Sequence, residues 1–206
     1  MLKIWGRANS INVQKVLWCA EELGLQYHRI DAGMEYGVVD TPQYRRLNPN
    51  GLVPTIEDGP LVLWESNAIV RYLAARYGAG SLWPVDPAER ADADKWMDWQ
   101  MSILWPRLRP VFWGLVRTPP EKRNVQEIED ARKKTVDAFG ILNEALDGRP
   151  FVAGSQLTMG DLVLGVAAQR WFNLPVERPA MAHLDAWYRR LEERPAFRKI
   201  VDHPLT

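Results

Sequence analysis

Val53-Pro54 and Glu65-Ser66 are the residue pairs whose types and positions most directly allow chemistry. Val53-Pro54 follows the turn sequence Asn48-Pro49-Asn50-Gly51 and leads into Thr55-Ile56-Glu57. A proline between a turn and a strand either starts the strand or follows a cis bond. The cis form turns the N–H and C=O of Val53 outward, free to pair with an extended peptide. Ser66 opens a run in which Ile69, Val70, Leu73 and Tyr77 form an apolar stripe at helical spacing. It is a good N-cap. A helix N-terminus also offers free N–H groups and a positive dipole end to an anion. Glu65, directly beside it, suits an ammonium instead. Together the two residues can grip both charges of an amino-acid head group.

A third candidate is the loop Arg7-Ala8-Asn9-Ser10-Ile11-Asn12-Val13-Gln14-Lys15, which runs into the first helix. A thiolate placed there would be stabilised by polar donors and by the dipole, and such surroundings lower a thiol below its usual value of about 8.5. Ser10 Oγ–H or the Asn12 amide could donate to sulfur; equally, either could simply cap the helix. Glutathione carries all the matching chemistry: a γ-glutamyl zwitterion, a cysteinyl backbone and a thiol. Cys19, the single cysteine, falls within the first helix and beyond the loop, as a packed thiol would.

The elements that must position these residues divide the chain. Leu2 to Trp5 reads as a strand ending at Gly6. Val13, Val16, Leu17, Ala20 and Leu23 give a helix from Asn12 to Gly24, and Tyr27 to Asp31 a second strand. A weak helical turn spans Thr41 to Leu47. Pro54 to Glu57 and Leu61 to Trp64 flank Asp58-Gly59-Pro60 as a hairpin whose turn type Pro60 leaves open. The order β-α-β then β-β-α is the signature of a thioredoxin-like domain. The Gly78 to Pro87 stretch marks the boundary, giving residues 1–79, a linker at 80–86 and an all-helical bundle at 87–206. Within the bundle a long helix runs from Ala88 to about Val116, bent near Pro106 and Pro110. Another spans Glu121 to about Leu146. Thr158 and Asp161 form a capping box with Asp in place of Glu, opening a helix through Phe172. The last helices cover roughly Ala180 to Glu193 and Ala196 to Val201.

Composition excludes several classes. Lys plus Arg number 26 and Asp plus Glu 26, so the chain lacks the basic surplus of a nucleic-acid binder. The stretch Arg107 to Arg117 reads as a solvated helix face. No apolar run reaches the length of a membrane helix, and the N-terminus has no signal-peptide pattern. One cysteine permits no internal disulfide, so a cytoplasmic location is expected. His28, His183 and His203 lack metal-ligand spacing, and no metal is expected.

Asn48 to Pro54, Leu63-Trp64-Glu65-Ser66-Asn67-Ala68-Ile69-Val70-Arg71-Tyr72-Leu73 and Thr158 to Leu162 together resemble bacterial glutathione transferases of theta-like or nu-like type over essentially the whole chain. The resemblance implies a homodimer that uses glutathione as co-substrate, with no permanently bound cofactor. It also implies a small hydrophobic or halogenated electrophile between the two domains. By the same resemblance Val53 and Pro54 serve the cysteinyl backbone, Glu65 the γ-glutamyl amine and Ser66 its carboxylate. Ser10 is then the thiolate donor and Asn12 its partner or substitute. Leu52 occupies the position where many relatives carry a lysine for the glycyl carboxylate. The electrophile is expected against Trp105, Arg109 and Phe112, which share a helix face; Trp105 and Phe112 could instead be core, and Arg109 a surface charge or a contact for an anionic electrophile. The implied reaction is attack of the thiolate on carbon. Disulfide reduction, or glutathione binding without catalysis, are the alternatives.

Overall fold

The computed structural model describes residues 1–206. Four strands form one sheet in the order β2-β1-β3-β4. Strand β1 (Leu2–Trp5) runs parallel to β2 (Tyr27–Ile30) and antiparallel to β3 (Thr55–Asp58), which pairs with β4 (Leu61–Trp64). Leu2 and Ile4 point inward, as period-two alternation requires. Helix α1 (Ile11–Glu22) connects β1 to β2. Gly6 lets it approach: a Cβ there would lie 2.4 Å from a Val13 methyl. A single turn (Met34–Tyr36) and the short α2 (Pro42–Leu47), capped by Thr41, lead to β3. Gly59, at φ 60°, and Pro60 make the two-residue hairpin turn.

Helix α3 (Ser66–Tyr77) buries Ile69, Val70 and Leu73 as its stripe predicts, but Tyr77 departs from it. Tyr77 is 41% exposed because its hydroxyl donates to Asp58 rather than entering the core.

Beyond it, α4 (Pro87–Trp99) and α5 (Trp105–Phe112) belong to one helical run interrupted by two wide turns, Gln100–Leu104 and Trp113–Arg117. Their hydrogen bonds reach back five residues: the Trp105 N–H donates to the Gln100 carbonyl, and Thr118 to Trp113. A simple bend at Pro106 and Pro110 was expected. The first wide turn instead absorbs the donor that Pro106 lacks, immediately ahead of it. Helix α6 (Val125–Ala145) starts later than expected, because Asn124 accepts the Glu127 N–H at 3.2 Å and fixes the cap there. Helices α7 (Met159–Asn173), α8 (Ala182–Glu192) and α9 (Pro195–Ile200) complete the bundle.

Helix α7 is the axis of the helical part, and two glycines let it pack closely. A Cβ at Gly165 would sit 2.8 Å from the Trp18 ring of α1, and one at Gly160 2.7 Å from the Ala93 carbonyl of α4. Trp18 also meets Phe197 of α9 edge-on at 5.0 Å. One hydrophobic core therefore runs from the sheet through α1 into the bundle. No helix is long and apolar enough to cross a membrane.

Candidate active-site cleft

The Val53–Pro54 peptide bond is cis, the form that exposes Val53. No other group of the chain pairs with the Val53 N–H or C=O. The preceding turn is held from beneath, since Tyr44 Oη and Asn48 Nδ2 both donate to the Leu52 carbonyl, at 2.6 and 2.9 Å. The Leu52 side chain is 64% exposed and supplies no charge.

Thr55 pairs with Trp64 across β3 and β4, so Pro54 and Glu65 lie at the same end of the hairpin. Glu65 is held at φ 72°, a conformation that costs a non-glycine residue about 1–3 kcal/mol. Its exposed carboxylate has no hydrogen-bond or ion-pair partner within the chain. Ser66 occupies the first turn of α3 and is 6% exposed. The structure thus sets a free carboxylate beside a free helix N-terminus.

Ser10 stands at the N-cap of α1, yet its hydroxyl makes no capping bond, and Asn12 lies inside the first turn rather than at the cap. The capping alternative therefore does not use the Ser10 side chain. Ser10 is 7% exposed and opens, with Asn12, Leu52 and Val53, onto a cleft of about 400 Å³. Trp105, Arg109 and Phe112 form the facing wall, and the Trp105 and Phe112 rings lie 6.3 Å apart. Trp105 and Phe112 thus both pack inward and border the cleft. Of the candidate residues, only Pro54, Glu65 and Ser66 fall outside the cleft lining, around the end of the hairpin.

Beyond the Arg7–Lys15 loop, four lining residues escaped the sequence reading: Met34, Trp113, Arg117 and Arg170. Arg109 is exposed, as expected of the Arg107 to Arg117 stretch, and borders the cleft, whereas Arg117 is half-buried. The wide turn at Trp113–Arg117 brings residues five apart into line, so Arg117 reaches over the Phe112 ring at 6.0 Å. A period of 3.6 residues would have placed it elsewhere.

Beneath the cleft, the Lys15 ammonium is buried and donates to Asn67 Oδ1 at 3.2 Å and Gln100 Oε1 at 2.9 Å. Asn67 Nδ2 in turn donates to the Met97 carbonyl, tying α1, α3 and α4 together. A lysine and a glutamine inside the otherwise apolar Val13–Ala20 run were the available signal. Burial lowers the Lys15 ammonium to about 7; Arg170 repulsion adds to the effect and Glu65 opposes it. An unfolded lysine titrates near about 10.4, so between these values the unfolded chain binds more protons than the folded one. Stability then rises with pH through that window, by at most about 1.4 kcal/mol per pH unit from this group. Above about pH 8.5 an unfolded Cys19 ionises while burial pushes its folded thiol up, a trend of opposite sign. The urea midpoint should therefore climb between about pH 7 and 8.5, and Lys15→Met should flatten the climb. A flat profile in the parent chain would mean that Lys15 keeps its proton.

Comparison with known proteins matches this geometry. Residues 1–75 fit the family model for the glutathione S-transferase N-terminal domain, and residues 125–190 that for its C-terminal domain. Glutathione S-transferase GstB of Escherichia coli is 43% identical, with the alignment covering 100% of both chains. Among solved structures, a theta-class glutathione S-transferase from Xanthomonas axonopodis with glutathione bound superposes with a TM-score of 0.96 at 50% identity, covering 100% of this chain and 99% of that one. Bombyx mori glutathione transferase BmGSTD1 superposes at 0.87 with 29% identity, over 98% and 92%. With matching models at both ends and a relative aligned from end to end, this chain belongs to the glutathione S-transferase family.

Proposed function

We propose that the chain activates glutathione and joins its sulfur to the carbon of a small electrophile in the cleft. The observation that carries this reading is the uncommitted Ser10 hydroxyl, buried at the head of α1 and facing Trp105 and Phe112 across the cleft. Val53 pairs with the cysteinyl backbone through its free N–H and C=O. Ser66 and the α3 N-terminus take the γ-glutamyl carboxylate, and Glu65 takes the amine. Asn12 assists Ser10 at sulfur. The thiolate attacks carbon, the leaving group departs with its electron pair, and the thiol proton goes to solvent. The protein contributes proximity and a preset donor.

The exposed Val62 and Trp64 on edge strand β4, with Met101 in the first wide turn, suit a homodimer contact.

Glutathione binding by calorimetry, paired with turnover of an aryl halide, tests the assignment. Ser66→Ala and Glu65→Gln should each weaken binding by about tenfold, since each removes a hydrogen bond to a charged group worth roughly 1.5–3 kcal/mol. Parent-like affinity in both variants would overturn the proposed head-group site. Turnover of a small mixed disulfide in place of the aryl halide would assign the chain to disulfide reduction instead.

A further inference from the structure

The cleft has a charge pattern that glutathione activation alone does not require. Its lining contains Arg7, Arg109, Arg117 and Arg170 and no acidic side chain, in a chain whose formal net charge is zero. Several arginines elsewhere are matched to carboxylates, among them Arg29 to Asp31, Arg71 to Asp94, Arg132 to Glu129 and Arg194 to Glu22. None of the four in the cleft forms an ion pair.

Arg170 is the extreme case. It projects from α7 with 3% exposure, and its hydrogen-bond acceptors are all neutral: Nη1 donates to the Val166 carbonyl and Gln169 Oε1 at 3.2 Å, and Nη2 to Gln14 Oε1. Its Nε has no partner, and neither has the buried Nε of Arg7. Burial lowers the Arg170 guanidinium to about 9, with the Arg117 charge adding to the effect; Arg7 is lowered by burial and by Arg117 as well. The exposed Glu35 carboxylate opposes the shift at Arg7, and no carboxylate does so at Arg170. A buried guanidinium without an anion is costly, and the like charge of Arg117 adds to the cost at Arg170. Against that cost the chain sets the neutral hydrogen-bond partners of Arg170 and the nearby Tyr188, and no ion pair.

We infer that the second substrate is a small acid, an alkylating agent whose carboxylate is held by Arg117 and Arg170 while its electrophilic carbon meets the thiolate. This rests on the transferase reading above and names the electrophile's chemical class. Arginine suits the role because its planar fork binds a carboxylate through paired hydrogen bonds. The positive cleft would also draw such an anion in from solution. With iodoacetate as the probe, the S–C bond forms as the C–I bond breaks, iodide leaves with the electron pair, and the thiol proton passes to solvent. In water the negative thiolate and carboxylate repel, so neutral iodoacetamide has the advantage there; the cleft should reverse that order.

The test compares kcat/KM for iodoacetate and iodoacetamide, each corrected for the uncatalysed rate, alongside a neutral aryl halide. The parent chain should favour iodoacetate by about tenfold or more, the effect of one charge-assisted pair. Arg117→Gln, which gives up a bond to Met34 Sδ and a contact over the Phe112 ring, should cut that ratio at least about fivefold, as should Arg170→Met. Binding of the two products checks the result without turnover and covers loss of folding at Arg170. S-carboxymethylglutathione should bind the parent more tightly than its carboxamide, and Arg117→Gln should erase the difference. Equal use of both probes with normal aryl halide turnover would overturn the anionic class and leave the transferase reading standing. So would arginine variants that slow both probes alike, because the cluster would then serve only the thiolate or the glycyl carboxylate. Loss of turnover with all three electrophiles, with equal product affinities, would overturn both.

Discussion

Ser10→Ala should lower kcat by about 10- to 100-fold at about pH 6.5, raise the pKa of bound glutathione by roughly one to two units, and leave the fold nearly as stable as before. The first two effects share a cause. A hydroxyl that donates to a thiolate supplies a hydrogen bond to a charged acceptor, worth roughly 1.5–3 kcal/mol, and 1.4 kcal/mol is about one pKa unit. Below the thiol pKa, activity follows the thiolate fraction, so the same energy appears in kcat. At high pH the thiol ionises without help, and the gap between variant and parent should close. The third effect separates this role from capping. Loss of a working N-cap costs about 0.5–2 kcal/mol, but the Ser10 hydroxyl makes no capping bond. Ser10→Thr, which keeps the hydroxyl, should restore most of the activity. Thiolate absorbance of the bound glutathione, followed through a pH titration, reads the pKa directly. An unchanged titration would transfer the donor role to Asn12.

The parts of this site legible in the sequence were those specified by neighbours along the chain. Asn48 to Gly51 is a turn by composition, Pro54 and Glu65 bracket a hairpin of alternating residues, and Ser66 precedes a helical stripe. Each depends on interactions within a few residues. Trp105, Arg109 and Phe112 were legible for the same reason, as they lie in a stretch whose helix is regular. Arg117 was not, because a wide turn that no local propensity announces shifts its phase by a residue. Arg170 was hidden differently. In the sequence it is the basic residue in the last turn of α7, a position that normally answers the helix dipole in solvent. Only packing of α7 against α1 reveals that it is buried against Gln14 and opens on the cleft. Lys15 is the intermediate case: its place among apolar residues is visible, its partners Asn67 and Gln100 are not.

Asp161→Ala should destabilise the fold by roughly 3–5 kcal/mol, as much as truncating a large core side chain. The capping box at Thr158 was expected on local grounds, and the Thr158 N–H does donate to Asp161 Oδ2 at 2.9 Å, with the Thr158 hydroxyl at 3.0 Å. The carboxylate does more than cap. Its other oxygen accepts the Val152 N–H and the Trp187 indole N–H, both at 2.9 Å, so one side chain joins the start of α7 to the preceding loop and to α8. Burial pushes the Asp161 carboxyl up, and the four donors oppose that shift. An exposed cap would cost at most about 2 kcal/mol to remove, whereas truncation here strands four buried donor groups and leaves a void beside Trp187. Trp187→Phe, which takes away one donor and keeps most of the ring, should cost less than half as much. Asp161→Asn should fall between them, because its amide turns a donor toward groups that are themselves donors. Urea unfolding measures all three. Activity per folded molecule should stay at the parent level in Asp161→Ala, since Asp161 lies outside the cleft lining, while the folded fraction falls. A loss near 1 kcal/mol would show that the carboxylate acts as an ordinary helix cap, and that the packing of Gly160 and Gly165 alone holds α7 in place.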